Sequence, residues 1–329
     1  MVALRHYAAR LFAVAASVLL LASCGGSSND APEAVPLFST PVVVGSSITD
    51  TGNRCGLPND RDPLCFPVPP YASTGIASNG PLYNQILAAR YGSPMVASRA
   101  GGFNYAYNGA ETGVIPTDTV PDNVPNMQMQ TEQFLARVSY QANPQYLYIV
   151  DSAAFGNNVR RVLELLQANP ALAATLPTQA TQQAAADVFG VVSRLYAAGA
   201  RHVVLTNVAN VGLAPGLAAL GTSAIQLAAG MSAGFNNALA AQIVPALKAA
   251  NPGLNIYYVD LNKLTNEVLG SPASFGFSNV QSPCYPWLFS PPGAAACSTP
   301  NTYLWWDELH PTAAMHALIA ERAVTAIGR

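Results

Sequence analysis

Short apolar runs alternate with longer amphipathic stretches along most of the chain. The apolar runs are rich in β-branched and aromatic residues, which is typical of buried strands, and they predict strands over 42–44, 146–150, 202–208 and 256–261, with a weaker candidate over 95–98. The stretches between them have helical periodicity and predict helices over 81–91, 127–140, 159–167, 178–198, 223–250 and 311–327. This alternation predicts an α/β fold with a parallel sheet that helices cover on both faces.

The segment that follows the first predicted strand is rich in hydroxyl groups. It reads Gly-Ser-Ser-Ile-Thr-Asp-Thr-Gly-Asn over residues 45–53. Active sites in open parallel sheets lie beyond the carboxyl ends of the strands, so this position suits a reactive serine. A serine hydroxyl is a poor nucleophile unless a base and an oxyanion site converge on it, and such a cluster also serves as a helix cap.

A candidate acid–base pair lies near the other end of the chain. Asp307 and His310 are three residues apart, and Pro311 follows directly. Pro311 biases His310 away from helical angles and is suited to begin the last predicted helix. Asp307 can then accept a hydrogen bond from Nδ1 and leave Nε2 to take a serine proton. Glu308 is an alternative partner for the imidazole.

Four segments, in chain order, resemble the sequence blocks of the SGNH (GDSL) hydrolases. Residues 45–53 resemble Gly-Asp-Ser-Leu-Ser-Asp-Thr-Gly-Asn, and the Asn-Tyr-Ala-Tyr-Asn-Gly-Ala segment at 104–110 resembles the second block. The Phe-Gly-Asn-Asn segment at 155–158 resembles Gly-x-Asn-Asp, and residues 307–311 match Asp-x-x-His-Pro. The resemblance implies a flavodoxin-like, three-layer α/β/α sandwich with a central parallel sheet, and neither a metal nor an organic cofactor.

The same resemblance implies the roles of individual residues. Ser47 is the expected nucleophile, with His310 and Asp307 completing a catalytic triad. The expected oxyanion hole consists of the backbone N–H groups of Ser47 and Gly109 and the side-chain amide of Asn157. The implied reaction is hydrolysis of carboxylic esters, of lipid or short-chain type, through an acyl-enzyme. Removal of acetyl groups from a carbohydrate at the same site is the next candidate.

Two further hypotheses remain open. The chain departs from the family pattern at Ser46, Phe155 and Asn158, which motivates a non-catalytic lipoprotein that keeps the fold and binds a ligand. The Gly-Met-Ser-Ala-Gly segment at 230–234 fits the nucleophile elbow of an α/β-hydrolase, with Ser232 as nucleophile and Asp260 before His310. That elbow must follow a strand, whereas the residues before it have helical character. The Ser47 hypothesis is therefore preferred.

The N-terminus predicts export. Two arginines precede an uncharged apolar run at 11–22, which has the length of a signal-peptide core and is short for a membrane span. The Leu-Ala-Ser-Cys segment that ends at Cys24 resembles a bacterial lipobox, which implies cleavage after residue 23 and lipid attachment to Cys24. Residues 24–36 then read as a lipidated flexible tether, and 37–329 as one hydrolase domain. The expected location is the cell envelope, with Gly25 favouring the outer membrane.

The cysteine count and the net charge limit which cross-links and which binding partners the chain is expected to have. The remaining cysteines form an even set in an oxidising compartment and predict two disulfides, with Cys55–Cys65 and Cys284–Cys297 favoured among three connectivities. A formal net charge of −2 with scattered basic residues indicates no nucleic-acid partner, so the expected partner is a small-molecule or lipid ester bound by a monomeric domain. The long aromatic segment 272–303 is expected to border the acyl pocket as a lid.

Overall fold

The computed structural model describes residues 38–57, 70–73, 75–119, 123–287 and 295–328. The predicted signal peptide (1–23), the lipidation site Cys24, the tether (24–36) and Cys65 lie outside these residues, so they remain predictions. In the described part of the chain, no helix is both long enough and apolar enough to cross a membrane.

A four-stranded parallel sheet forms the centre of the fold, as predicted. Its strands are β1 (Pro41–Val44), β2 (Leu147–Asp151), β3 (His202–Thr206) and β4 (Asn255–Val259), in the spatial order β1-β2-β3-β4. Val43 pairs with Ile149, Ile149 with Val204, and Val204 with Tyr257. All residues of β1 and β2 are buried, because helices cover both faces.

An irregular fifth segment extends the sheet on the free side of β1. The Val43 N–H donates to the Phe103 carbonyl at 3.0 Å, and the Tyr105 N–H donates to the Val43 carbonyl at 2.8 Å. The strand predicted over 95–98 is wrong, since that stretch makes a single bridge between Ala97 and Asn104 and then turns. The chain thus crosses to one side of β1 and then to the other. The carboxyl end of β1 is therefore the topological switch point, where ligands bind in open α/β sheets.

Eight α-helices lie within the described residues, and they form the two outer layers. They are α1 (Tyr83–Arg90), α2 (Met127–Arg137), α3 (Phe155–Ala168), α4 (Leu176–Ala198), α5 (Thr222–Ala238), α6 (Val244–Ala250), α7 (Leu261–Gly270) and α8 (Ala313–Ile327). In one layer α1 packs against α8, and in the other α2, α3 and α5 pack against α4. The three-layer α/β/α sandwich is therefore confirmed.

Two predicted boundaries are wrong for identifiable reasons. The helix predicted over 223–250 is divided by a π-helical turn at Leu239–Ile243, directly before Pro245, which lacks an N–H for the helical ladder. The strand predicted over 256–261 ends at Val259, because Asp260 caps a helix that the sequence did not predict. The Asp260 carboxylate accepts from the Lys263 N–H at 2.8 Å and so begins α7.

A second, two-stranded parallel sheet precedes the acid–base segment. It pairs β5 (Asn279–Pro283) with β6 (Tyr303–Trp305). The predicted Cys284–Cys297 disulfide is present, and both cysteines lie in the connection that leads from β5 to β6. Cys55 is also disulfide-bonded, whereas its predicted partner Cys65 lies outside the described residues.

Candidate active site

The nucleophile segment forms a tight turn at the carboxyl end of β1. The N–H groups of Thr49 and Asp50 both donate to the Ser46 carbonyl, at 3.0 and 2.9 Å. Ser47 is 9% exposed at the end of this turn. A Cβ at Gly45 would lie 2.5 Å from the Cβ of Asp151, so only glycine lets β1 and β2 approach each other here.

Asp151, the last residue of β2, ties the turn to the sheet. Its Oδ2 accepts from the Thr49 hydroxyl at 3.0 Å and from the Ser46 N–H at 3.4 Å, while Oδ1 accepts from the Thr206 hydroxyl at 3.1 Å. Burial raises the pKa of the Asp151 carboxyl to about 6, against the lowering effect of these hydrogen bonds. The turn is therefore held by a carboxylate from the neighbouring strand, although Ser46 replaces the family's aspartate.

A second buried carboxylate joins the turn to the 104–110 segment. Asp50 accepts from the N–H groups of Gly52 and Asn53 at 2.8 and 2.7 Å, and from the Asn108 N–H at 2.8 Å. Burial raises its pKa to about 6 as well. The Asn104 amide donates to the Thr49 carbonyl at 2.6 Å, a second link between the two segments. The first two blocks therefore form one connected loop structure.

Two of the predicted oxyanion residues, Gly109 and Asn157, are connected through Ala110, which follows Gly109 in the chain. Gly109 has a φ of +86°, which a residue with a side chain adopts only with strain. Asn157 lies in the first turn of α3, and its Nδ2 donates to the Ala110 carbonyl at 2.8 Å. Asn158 instead turns inward, where its Oδ1 accepts from the Thr112 N–H at 3.0 Å. Of the two asparagines, Asn157 lines the pocket that Ser47 and His310 also line, and Asn158 does not.

The acid–base segment closes a turn between β6 and α8. The Trp306 N–H donates to the His310 carbonyl at 2.8 Å, which brings the Asp307 side chain beside the His310 ring. Nδ1 of His310 lies 2.9 Å from both carboxylate oxygens of Asp307. Asp307 is therefore a carboxylate that contacts Nδ1 of the imidazole, as the sequence predicts. Both side chains are buried, at 1% and 6% exposure, so bulk water screens their interaction poorly.

One apolar pocket joins these groups. It has a volume of about 600 Å³ and is lined by Ser47, Asn157 and His310 together with residues that follow all four strands of the main sheet. Much of its wall comes from the 208–220 segment, which includes Val211 and Leu217, and from α3, α7 and α8. A hydroxyl, an imidazole and an amide thus face a cavity that suits a hydrocarbon chain.

A family model described as GDSL-like lipase/acylhydrolase matches residues 42–323, which is most of the chain. This protein belongs to that family. Membership of this family supports ester hydrolysis or acyl transfer in general.

Relatives of this GDSL hydrolase are distant in sequence. It is 24% identical over 340 residues to a phosphatidylcholine-sterol acyltransferase from Aeromonas hydrophila, covering 90% of this chain and 92% of the relative. A thermolabile hemolysin from Vibrio parahaemolyticus is 25% identical over 307 residues, covering 90% of this chain and 65% of the relative. A GDSL esterase/lipase from Arabidopsis thaliana is 27% identical over 145 residues, and the alignment spans only 40% of its length and 41% of this chain.

The alternative nucleophile of the GDSL hydrolase is excluded by its surroundings. Ser232 lies in the middle of α5, is 1% exposed, and its hydroxyl donates to the Ala228 carbonyl at 2.7 Å. The same hydroxyl accepts from the Val211 N–H at 3.1 Å. A strand-to-helix elbow is absent at this position, so Gly230 and Gly234 are helical residues.

The expected acyl-pocket lid of the GDSL hydrolase is wrong for the residues described. No described residue of the 272–303 segment lines the pocket, and the 208–220 segment occupies that place instead. Tyr285 packs on Trp306, behind the acid–base turn, because the Cys284–Cys297 disulfide holds it there. The aromatic residues of this segment that the structure describes therefore support the site from behind and do not cover its opening.

Sequence reasoning also missed a contact of Asp307. The Tyr71 hydroxyl donates to Asp307 Oδ2 at 2.9 Å, across 236 positions of the chain. No local pattern around Tyr71 signals this pairing. Among the described residues there is no group of three or more His, Cys, Asp or Glu side chains that is suited to hold a metal ion.

Proposed function

We propose that this protein hydrolyses esters of apolar acyl chains, such as lipid esters, through a covalent acyl-enzyme on Ser47. The observation that carries the proposal is the shared pocket: Ser47, His310 and Asn157 line one apolar cavity, and Asp307 holds the far side of the His310 ring. These are the groups that acyl transfer to a serine requires.

The reaction follows from this arrangement. Nε2 of His310 takes the Ser47 proton while Oγ attacks the ester carbonyl, and the carbonyl π electrons move onto the oxygen. The N–H groups of Ser47 and Gly109 and the amide of Asn157 stabilise that oxyanion. Its collapse breaks the bond to the alkoxy group, which leaves with the proton from His310. Water, deprotonated by the same imidazole, then attacks the acyl carbon. The bond from that carbon to Ser47 Oγ breaks, His310 returns the proton to Oγ, and the acid is released.

The pocket favours an apolar acyl group over an acetyl group. An acetyl group would fill a small part of a cavity of about 600 Å³, whereas each methylene buried in it contributes about 0.8 kcal/mol. Binding energy of this kind rises with chain length until the cavity is full. The carbohydrate deacetylase hypothesis is therefore the less favoured of the two.

The test is a panel of p-nitrophenyl esters of increasing chain length. We expect kcat/KM to rise from the acetate to a medium or long chain in the wild type. Ser47→Ala should lose at least about 1,000-fold of kcat, because the nucleophile is absent. Ser232→Ala is the matched control and should keep its rate within about twofold. Full activity of Ser47→Ala, or a strict preference for acetate, would contradict the proposal.

We also propose that the protein is exported and attached to the bacterial outer membrane through lipid on Cys24. The support is the sequence of residues 1–25 alone. Cys24→Ser should move the protein from the membrane fraction to the soluble fraction with unchanged kcat. A variant that still sediments with the membrane would refute the anchor. The monomeric state of the domain stays a prediction.

A further inference from the structure

The Asp307 carboxylate accepts more hydrogen bonds than orientation of an imidazole requires. Its Oδ1 accepts from the backbone N–H groups of Leu309 and His310, at 2.9 and 2.8 Å. Nδ1 of His310 lies 2.9 Å from both oxygens, and the Tyr71 hydroxyl donates to Oδ2 at 2.9 Å. Three of these donors belong to the turn that carries Asp307. Tyr71 is the one that comes from a distant part of the chain.

We propose that Tyr71 is a positioning residue of the catalytic site, whose phenol fixes the Asp307 carboxylate against the His310 ring. This inference rests on the proposed function, because it assigns Tyr71 a role in the acid–base step of that reaction. The two backbone donors hold Oδ1 alone. Within the turn only the His310 ring itself contacts Oδ2, so Tyr71 supplies a donor to that oxygen that does not depend on the ring it helps to orient.

Tyr71 is suited to act as a permanent donor. Its side chain is 2% exposed, and burial together with the neighbouring Asp307 charge raises the pKa of the phenol far above its usual range. Tyr285 and Glu308, the other titratable groups that face it, act in the same direction. The phenol thus keeps its proton at every pH at which the enzyme works.

The ring of Tyr71 is held by an aromatic cluster. It makes edge contacts with Tyr285 and Trp306, with centroids 5.8 and 5.9 Å apart, and Tyr285 stacks on Trp306. Trp306 directly precedes Asp307 in the chain. The Tyr285 N–H donates to the Trp306 carbonyl at 2.7 Å, and the disulfide from Cys284 to Cys297 closes the segment behind it. The cluster therefore fixes donor and acceptor relative to each other.

Loss of the phenol hydroxyl has two physical consequences. The carboxylate is free to rotate away from Nδ1, which lowers the fraction of correctly oriented imidazole. Only the His310 ring then remains as a donor near Oδ2, so the carboxylate interacts more strongly with the protonated imidazole. The first effect reduces kcat. The second moves the acidic limb of the pH profile upward.

The experiment compares the full-length wild type with Tyr71→Phe, using the p-nitrophenyl ester that the wild type hydrolyses best. We expect kcat to fall about 10- to 100-fold, as for loss of a hydrogen bond to a charged group, with KM within about twofold. The acidic limb of kcat/KM against pH should shift to higher pH. Titration with an active-site serine probe gives the folded fraction and corrects kcat for any misfolded protein.

Tyr83→Phe is the matched control. Tyr83 is a fully buried tyrosine of α1 whose hydroxyl has no hydrogen-bond partner within the described structure. It should keep the wild-type kcat and the wild-type pH profile. A Tyr71→Phe variant with an unmoved acidic limb, or a Tyr83→Phe variant with the same shift, would overturn the role of Tyr71. An active Ser47→Ala variant would instead overturn the proposed function, so the two failures are distinguishable.

Discussion

Two adjacent asparagines at the start of α3 have different surroundings and therefore different expected roles. Asn157 lines the pocket and uses one amide hydrogen on the Ala110 carbonyl, which leaves the second for an oxyanion. Asn158 is 2% exposed, and its amide bonds the Thr112 backbone and hydroxyl. The Asn157 side chain lines the pocket, and the Asn158 side chain joins Thr112 to α3.

We predict that Asn157→Ala lowers kcat by about 10²–10³-fold, or roughly 3–4 kcal/mol, as for removal of one oxyanion donor. Its melting temperature should stay close to that of the wild type, because the side chain is only partly buried. Asn158→Ala should show the reverse pattern. It should lose about 1–3 kcal/mol of unfolding free energy, since the Thr112 N–H would lack its partner. Paired kinetics and thermal melts check both, and an Asn157→Ala variant with wild-type kcat would refute the role of Asn157.

Site residues that contact each other could be predicted from the sequence where they lie close together in the chain. Asp307 and His310 are three residues apart, so their pairing needs only a turn, and Pro311 signals one. Tyr71 and Asp151 could not be assigned in this way. The partner of Tyr71 is 236 positions away, and those of Asp151 on other segments are 55 to 105 positions away, so only the fold brings them together. Phe155, a departure from the family pattern, stacks on Phe235 at 4.2 Å in the core.

At the scale of elements, the 208–220 segment decides the shape of the pocket. It consists mainly of two short 3-10 helices, Val211–Leu213 and Pro215–Leu220, and it follows β3 at the sheet edge. The Gly216 N–H donates to the Glu308 carbonyl at 3.0 Å, which joins the segment to the acid–base turn. Leu217 is 6% exposed and lines the cavity. A change at Leu217 therefore alters the space available to the acyl chain.

We predict that Leu217→Trp shifts the preferred ester to a shorter acyl chain. The larger ring occupies cavity volume that a long chain would use, while Ser47 and His310 are unchanged. In the p-nitrophenyl panel, kcat/KM for the longest esters should fall at least about tenfold, and that for the acetate should stay within about threefold. Phe275→Ala, in the segment first expected to form the lid, should leave the preference unchanged. The opposite pattern would show that the 272–303 segment shapes the pocket.

The elements themselves were predictable where periodicity is strong. β1 to β4 and seven of the eight described helices follow from apolar runs and amphipathic stretches, with α5 and α6 predicted as one helix. α7 was missed because its first residues continue the apolar run of β4, and only the Asp260 cap divides the two. The 208–220 segment has no regular period, so its place in the pocket wall depends on tertiary contacts.

At the scale of the whole molecule, the parallel sheet is what assembles the site. Ser47 follows β1, Asn157 follows β2, and the 208–220 segment of the pocket wall follows β3. His310 lies in the connection from β6 to α8. Parallel strands place the segments that follow β1, β2 and β3 at one edge, because their carboxyl ends share a side of the sheet, and His310 reaches the same pocket from the second sheet. The buried carboxylates of Asp50 and Asp151 then fix the loops at that edge. We propose Ser47 as the nucleophile of the site formed at this edge.

The most direct measurement of that claim is covalent labelling with a fluorophosphonate, followed by peptide mass spectrometry of the folded protein. We expect one phosphonyl adduct, on Ser47, that is lost in Ser47→Ala and retained in Ser232→Ala. His310→Ala should label far more slowly, because its serine lacks a base. An adduct on Ser232, or an enzyme that hydrolyses esters and carries no adduct on Ser47, would contradict the account.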